Sequence, residues 1–359
     1  MEEIDWLYQL KNKVPYFLDL LQEEAKPGFF RYSLSNDLQN HSTNWGLGNT
    51  VFAVKIYYTL GLLERLPTKR RDSMSKFIKS FQDDKGFFFD PLIHKKSSLI
   101  NIISAIKNVN LNNISGQQTK TAETRQSISA LNLLNQKPNT LFVNFPQTKK
   151  NIAKYLRKLE WHNPWGAGSH FSHLLFFLAN SELDNKDDLI NFSINWINSL
   201  QHKIDGCWYE GHTSIQQKIN GAMKIITGLK AVNKTDFNYP KKLIDTCLSV
   251  TNDSHACDNF NIIYVLKYAN ELTKSTYRYM EIRQFCYNRI KLYRQYYFPN
   301  IGGFSFYKNK ANDVYYGAKI TKGLNEPDIH GTVMFLWGIS IITQILKIND
   351  KLKFKEFIT

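Results

Sequence analysis

The stretch FQDDKGFFF, residues 81–89, ends an amphipathic run, turns through polar residues and a glycine, and leaves through three phenylalanines. Its reading decides the fold because the same order recurs along the chain. LLQEEAKPGFF at 20–30, LQHKIDGCWY at 200–209 and YFPNIGGFSF at 297–306 repeat it: helix end, polar turn, glycine, aromatics. LEWHNPWGAGSH at 159–170 keeps the helix end and the aromatic–glycine pair in altered order, and TNDSHACDNFN at 251–261 keeps only the spacing. A glycine can close a helix in the left-handed conformation without a Cβ clash. The aromatics after it can pack between neighbouring helix pairs, and a preceding Gln can bond backbone groups of the next turn. Recurrence of one supersecondary unit signals a repeat architecture.

Two kinds of helix flank these turns. Residues 4–24, 67–83, 146–160, 185–201, 239–250 and 275–296 carry Lys, Arg, Asp and Asn on one face, with Leu or Ile at three- and four-residue intervals. Residues 44–62, 121–136, 165–181, 214–232, 256–272 and 327–346 are poor in charge and rich in small and aromatic residues. A helix apolar nearly all round is a buried helix. Six outer helices alternating with six inner ones predict an all-α chain, an (α/α)6 toroid forming one domain over residues 1–359. The segment 91–120, PLIHKKSSLINIISAIKNVNLNNISGQQTK, interrupts the second repeat as an insertion or lid.

Composition narrows the function classes. Hydrophobic residues make up 43% of the 359 and charged residues 21%, which is globular and not disordered. The 46 Lys and Arg against 31 Asp and Glu leave a charge of +15, which favours an anionic partner. The basic residues are scattered and match no nucleic-acid motif, so nucleic acid is not expected as a partner. Cys207, Cys247, Cys257 and Cys286 lack paired C-x-x-C spacing and suggest neither a disulfide framework nor a zinc cluster. The acidic start MEEIDWL is unlike a signal peptide. The longest uncharged run, 331–346, is shorter than a membrane span. The expectation is a cytoplasmic protein, with peripheral membrane contact left open.

The turns in which three to five residues separate Gln from a Gly followed by aromatics resemble the QW-type repeats of the squalene-hopene cyclase and protein prenyltransferase β-subunit superfamily. The resemblance implies an α/α toroid whose active site lies in a central cavity, where the inner helices begin. It also implies a terpene cyclase or prenyltransferase type of enzyme. The sequence departs from both of that superfamily's chemical motifs. No Asp-x-Asp-Asp occurs, and the corresponding stretch ACDNFN offers Asp258 with Asn259 and Asn261. Asp205-Gly206-Cys207 falls inside a turn and not on the inner helix where the family's zinc ligands sit, and only His330 beside Asp328 suggests the later ligand pair. Magnesium or zinc is left open as a cofactor, and no metal ligand is assigned.

What remains are polar residues at the starts of charge-poor helices. His330, Asp328, Asp258, His170 and Glu123 are the candidate catalytic residues. Arg125, Lys218, Trp45, Trp165, Asn220, Tyr315 and Tyr316 are the candidate ligand-binding residues. Helix N-termini favour anions, and Arg125 and Lys218 would reinforce them. In NEPDIHGT, Asn325 or Glu326 is the expected cap, and Asp328 complements the helix dipole. His170 and His173 stand three apart on one face. The expected ligand is a small anion, an isoprenoid diphosphate. A saccharide handled by a carbohydrate-active toroid, and a non-catalytic scaffold, are the alternatives.

Overall fold

The chain is mostly helical in the computed structural model, which describes residues 4–35, 38, 44–94 and 117–359. Most of the segment expected as an insertion, 95–116, lies outside the described residues. The principal helices are α1 (Trp6–Leu21), α2 (Leu47–Thr59), α3 (Thr68–Lys79), α4 (Gln117–Leu133), α5 (Lys149–Arg157) and α6 (Pro164–Ala179). They continue as α7 (Lys186–Ser199), α8 (Ile215–Ala231), α9 (Pro240–Leu248), α10 (Ala256–Leu272), α11 (Tyr279–Arg294) and α12 (Ile329–Ile345). Each falls within a few residues of its expected span. Among the described residues no helix is long and apolar enough to cross a membrane.

The alternation of helix kinds is physical. In α1 the buried side chains are Trp6, Leu7, Leu10, Val14, Phe17, Leu18 and Leu21, a stripe one turn apart. In α10, by contrast, every residue from Asp258 to Asn270 is buried. α2 is buried from Leu47 through Tyr57. Odd-numbered helices therefore have a solvent face and even-numbered ones largely do not.

The four well-formed sequence turns share one geometry. Gln22 bridges to Phe30, Gln82 to Phe88, Gln201 to Trp208 and Tyr297 to Phe304, each as an antiparallel pair. Around Gln82 the Asp83 N–H donates to the Phe87 carbonyl at 2.8 Å, and the Phe89 N–H to Phe81 at 3.3 Å. Around Tyr297 the Phe298 N–H meets Gly303 at 2.9 Å, and the Ser305 N–H meets Tyr296 at 3.0 Å. The altered turns at 159–170 and 251–261 show no such bridge among the described residues. The glutamines act as expected. Gln201 Nε2 donates to the carbonyls of Gly206 at 2.7 Å and Asn238 at 2.6 Å. Gln82 Nε2 donates to Thr140 at 2.6 Å, and its Oε1 accepts from the Asn139 N–H at 2.8 Å.

The chain divides into two compact units, one of residues 1–141, 291–340 and 348–357, the other of 142–290, 341–347 and 358–359. In the first, the last turn packs on the first helix. Gly302 (φ +97°) lies so close to α1 that a Cβ would meet the Lys13 carbonyl oxygen at 2.1 Å. The Trp6 ring sits 5.3 Å from that of Tyr297 and 6.1 Å from that of Phe304. Gly28 (φ +90°) makes the same approach to Ser73 of α3. A two-residue hairpin, β1 (Val314–Tyr315) with β2 (Ala318–Lys319), stands before α12. Its turn residues Tyr316 and Gly317 both have positive φ, +46° and +79°, the pattern of a type I′ turn. In the second unit α6 and α8 pack at small residues. A Cβ on Gly221 would meet Pro164 at 2.7 Å, and one on Gly228 would meet Ser172 at 2.8 Å.

Candidate functional site

In the first unit, α2, the hairpin and the segment before α12 gather around His330 at the start of α12. Its imidazole stacks on Phe52 (centroids 4.8 Å apart, planes 13° apart) and lies 4.7 Å from the Phe306 ring. Tyr315 and Tyr32 present edges to it at 5.8 and 6.4 Å. Tyr315 also lies over α2, where a Cβ on Gly48 would come within 2.8 Å of its hydroxyl. His330 and Tyr315 are half-buried, whereas Tyr32, Phe52 and Phe306 are buried, so the cluster has an accessible edge.

Hydrogen bonds set the imidazole tautomer. The Asn312 amide donates to the Tyr32 hydroxyl oxygen at 2.8 Å and to the Val314 carbonyl at 2.9 Å, which uses both its hydrogens. The Tyr32 O–H then donates to His330 Nδ1 at 3.0 Å. Nδ1 is thus the acceptor, and the neutral ring carries its proton on Nε2.

Asp328 supports this arrangement without entering it. Its carboxylate accepts from the N–H groups of Gly331 (2.7 Å), Phe306 (2.7 Å) and Asn312 (3.0 Å). One residue therefore caps α12 and ties down the segment carrying Phe306 and Asn312. Burial outweighs these donors and pushes the Asp328 carboxyl up to about 7. The cap expected at Asn325 or Glu326 falls instead on Asp328, because the helix begins at Ile329. Glu326 accepts from the Ser35 N–H at 2.8 Å.

A second buried acid group lies at the start of α2. Asp90 takes N–H bonds from Gly46 (2.7 Å), Leu92 (3.0 Å), Ile93 (3.2 Å) and Leu47 (3.3 Å), and burial still lifts it to about 6. Its own N–H donates to Glu123 Oε2 at 3.0 Å. Glu123 is 2% exposed, and its Oε1 has no hydrogen-bond partner among the described residues. Burial, with the Asp90 carboxyl beside it, holds Glu123 well above the usual carboxylate range. Glu123 also acts electrostatically on the Tyr315 phenol, which burial raises in the same direction. Arg125 is buried two residues further along α4. Tyr316 is exposed at the hairpin tip, and Trp45 is buried edge-on to Phe29 at 5.8 Å.

The remaining candidates lie in the second unit. Asp258 is wholly buried and accepts from Gln216 Nε2 and from Asn220 Nδ2 at 2.9 Å, and His255 Nε2 lies 3.4 Å from its carboxylate. Trp165, half-buried, stacks beside His255 at 6.5 Å. His170 pairs with the Tyr155 hydroxyl at 3.3 Å, and burial lowers its proton affinity. The His170 and His173 rings lie 5.8 Å apart. Lys218 forms a 2.8 Å ion pair with Asp205 and a 2.9 Å bond to the Tyr209 hydroxyl. Burial opposes the charge on Asp205, but Lys218, the Cys207 N–H and Tyr209 outweigh it and hold the carboxyl low. Asp205 and Cys207 thus belong to their turn, with the Cys207 thiol wholly buried. Among the described residues no three His, Cys, Asp or Glu side chains are grouped to hold a metal.

Some contributors had no local sequence signal. Thr124 and Thr332 accept the N–H of Phe88 and Phe304, each at 2.9 Å, and so lock α4 and α12 to their turns. Thr332 stands fourth in α12 and Thr124 eighth in α4, so their equivalence is visible only once the turns are aligned. No known protein family matches this chain, and no curated protein matches it.

Proposed function

We propose that the chain is a six-repeat α/α toroid resembling the terpenoid cyclases and prenyltransferase β subunits, and that it binds an isoprenoid diphosphate or a similar anionic ligand. The contact of the last turn with the first helix, Gly302 on Lys13, supports ring closure. The observation that carries the functional reading is the aromatic enclosure of His330 by Phe52, Phe306, Tyr32 and Tyr315. Such rings suit an isoprenoid chain and any positive charge developing on it. The chain's +15 charge suits the diphosphate. Because burial raises the proton affinity of Asp328 and Glu123, these two acids repel an anion less than ordinary carboxylates would.

In this reading Glu123 is the proton donor, with its Oε1 unengaged among the described residues. A carboxyl held neutral by burial is a weak acid. It suits protonation of a ligand oxygen better than protonation of a carbon–carbon double bond. That fits the missing Asp-x-Asp-Asp motif and favours a prenyltransferase-like or binding role over alkene-initiated cyclisation. The test is calorimetric titration of farnesyl diphosphate, farnesol and an acidic oligosaccharide against wild type and Phe52→Ala. Saturable binding of the diphosphate, weakened in the variant, supports the reading. Preference for the oligosaccharide would refute it.

A further inference from the structure

We propose that the second unit carries a separate site for a small neutral polyol, a saccharide ring being the fitting class, at the first turns of α8 and α10. This inference does not depend on the reading of the His330 cluster. The site is built from buried amides around one carboxylate. Asn220 Nδ2 donates to Asp258, and Asn220 Oδ1 in turn accepts from Asn261 Nδ2 at 2.9 Å and from Asn252 Nδ2 at 3.4 Å. Asn220, Asp258 and Asn261 are each 0% exposed.

Two acceptors are left over. Asn261 Oδ1 and Asn252 Oδ1 are both buried without a hydrogen-bond partner among the described residues. Each belongs to an amide whose nitrogen is committed to Asn220. Buried carbonyl oxygens are rarely left unmet, and a pair on neighbouring amides calls for donors from outside the chain.

The surroundings narrow those donors. The imidazole of His255 accepts at Nδ1 from the Asp258 N–H and faces the Asp258 carboxylate through Nε2, so it is a neutral ring protonated on Nε2. Burial keeps its proton affinity low. The Asp258 charge opposes an anionic ligand. On the other side, the Arg289 guanidinium donates to Asn259 Oδ1 at 2.6 Å and to the Asn252 backbone carbonyl at 3.5 Å, which opposes a cationic one. Hydroxyl groups supply donors without charge. The half-buried Trp165 beside His255 adds an apolar face of the kind that packs on the C–H face of a pyranose.

Saturation-transfer NMR with methyl β-glucoside as the probe, and cyclohexylamine as an ammonium control, tests the proposal on the full chain. Trp165→Ala removes the apolar face. Asn252→Gly deletes one unmet carbonyl, and glycine accepts the left-handed backbone there (φ +49°). Circular dichroism and the thermal midpoint establish that both variants fold. The expected result is saturable transfer to the glucoside, about tenfold weaker in each variant, equivalent to about 1.4 kcal/mol. Farnesyl diphosphate binding should be unchanged by Asn252→Gly, which separates this site from the other. No saturable transfer from the glucoside, transfer from cyclohexylamine in its place, or equal affinity in wild type and both variants would each overturn it.

Discussion

The carbonyl oxygen of Lys13 occupies the space a side chain on Gly302 would need, 2.1 Å from the position of its Cβ. Residues 289 positions apart in the chain are thereby in backbone contact, and the last glycine-aromatic turn is seated on the first helix. Gly302 is also left-handed at φ +97°. Gly302→Ala therefore suffers twice, from conformation and from collision, and is expected to cost about 3 kcal/mol or more. Gly211 has φ +65° but nothing within 4 Å of its Cβ position, so Gly211→Ala should cost only about 1–2 kcal/mol. Urea midpoints of the two variants, followed by circular dichroism, check the difference. Equal shifts would deny the close approach.

The Gln201 staple makes a separate prediction about polarity. Its Nε2 meets two carbonyls, Gly206 and Asn238. Gln201→Ala should destabilise by about 2 kcal/mol. Gln201→Glu should do worse above pH 6, because it sets a carboxylate against two carbonyl oxygens with no donor. The order Gln, Ala, Glu in thermal midpoint is the expected outcome at pH 7.5, and a Glu variant as stable as wild type would refute the role of the amide.

The buried acids predict how stability depends on pH. Folded Asp328 titrates at about 7 and Asp90 at about 6, against an ordinary 3.8, and Glu123 lies well above 4.5. The folded chain holds these protons more tightly than the unfolded chain. Raising the pH strips the unfolded state first, so stability falls from about pH 4 upward and levels off only above the folded values. Glu123→Gln fixes a neutral group that can still accept the Asp90 N–H. It should lessen the loss of urea stability between pH 5 and pH 8, and an unchanged slope would contradict a buried, proton-holding Glu123.

Much of the helical frame could be read from residues alone, because a helix buried all round and one with a polar face differ in composition. FQDDKGFFF, LQHKIDGCWY and their relatives could be read because glycine geometry and an amide staple act within ten residues. The site was harder to read. Tyr32, Asn312 and His330 form a relay across some 300 positions, and nothing local to any of them announces it. Asp258 looked isolated in ACDNFN because its donors Gln216 and Asn220 come from α8, some 40 positions earlier. Lys218 looked available to a ligand, but its partner Asp205 lies back in the turn. Local pattern located these residues at helix starts. Tertiary hydrogen bonding decided what each one faces.

Calorimetric titration of farnesyl diphosphate into wild type, Phe52→Ala and His330→Ala tests the central proposal most directly. The account predicts saturable binding to wild type, at least about tenfold weaker in each variant, a loss of about 1.4 kcal/mol or more. Absence of binding to wild type, or equal affinity in all three folded proteins, would contradict it.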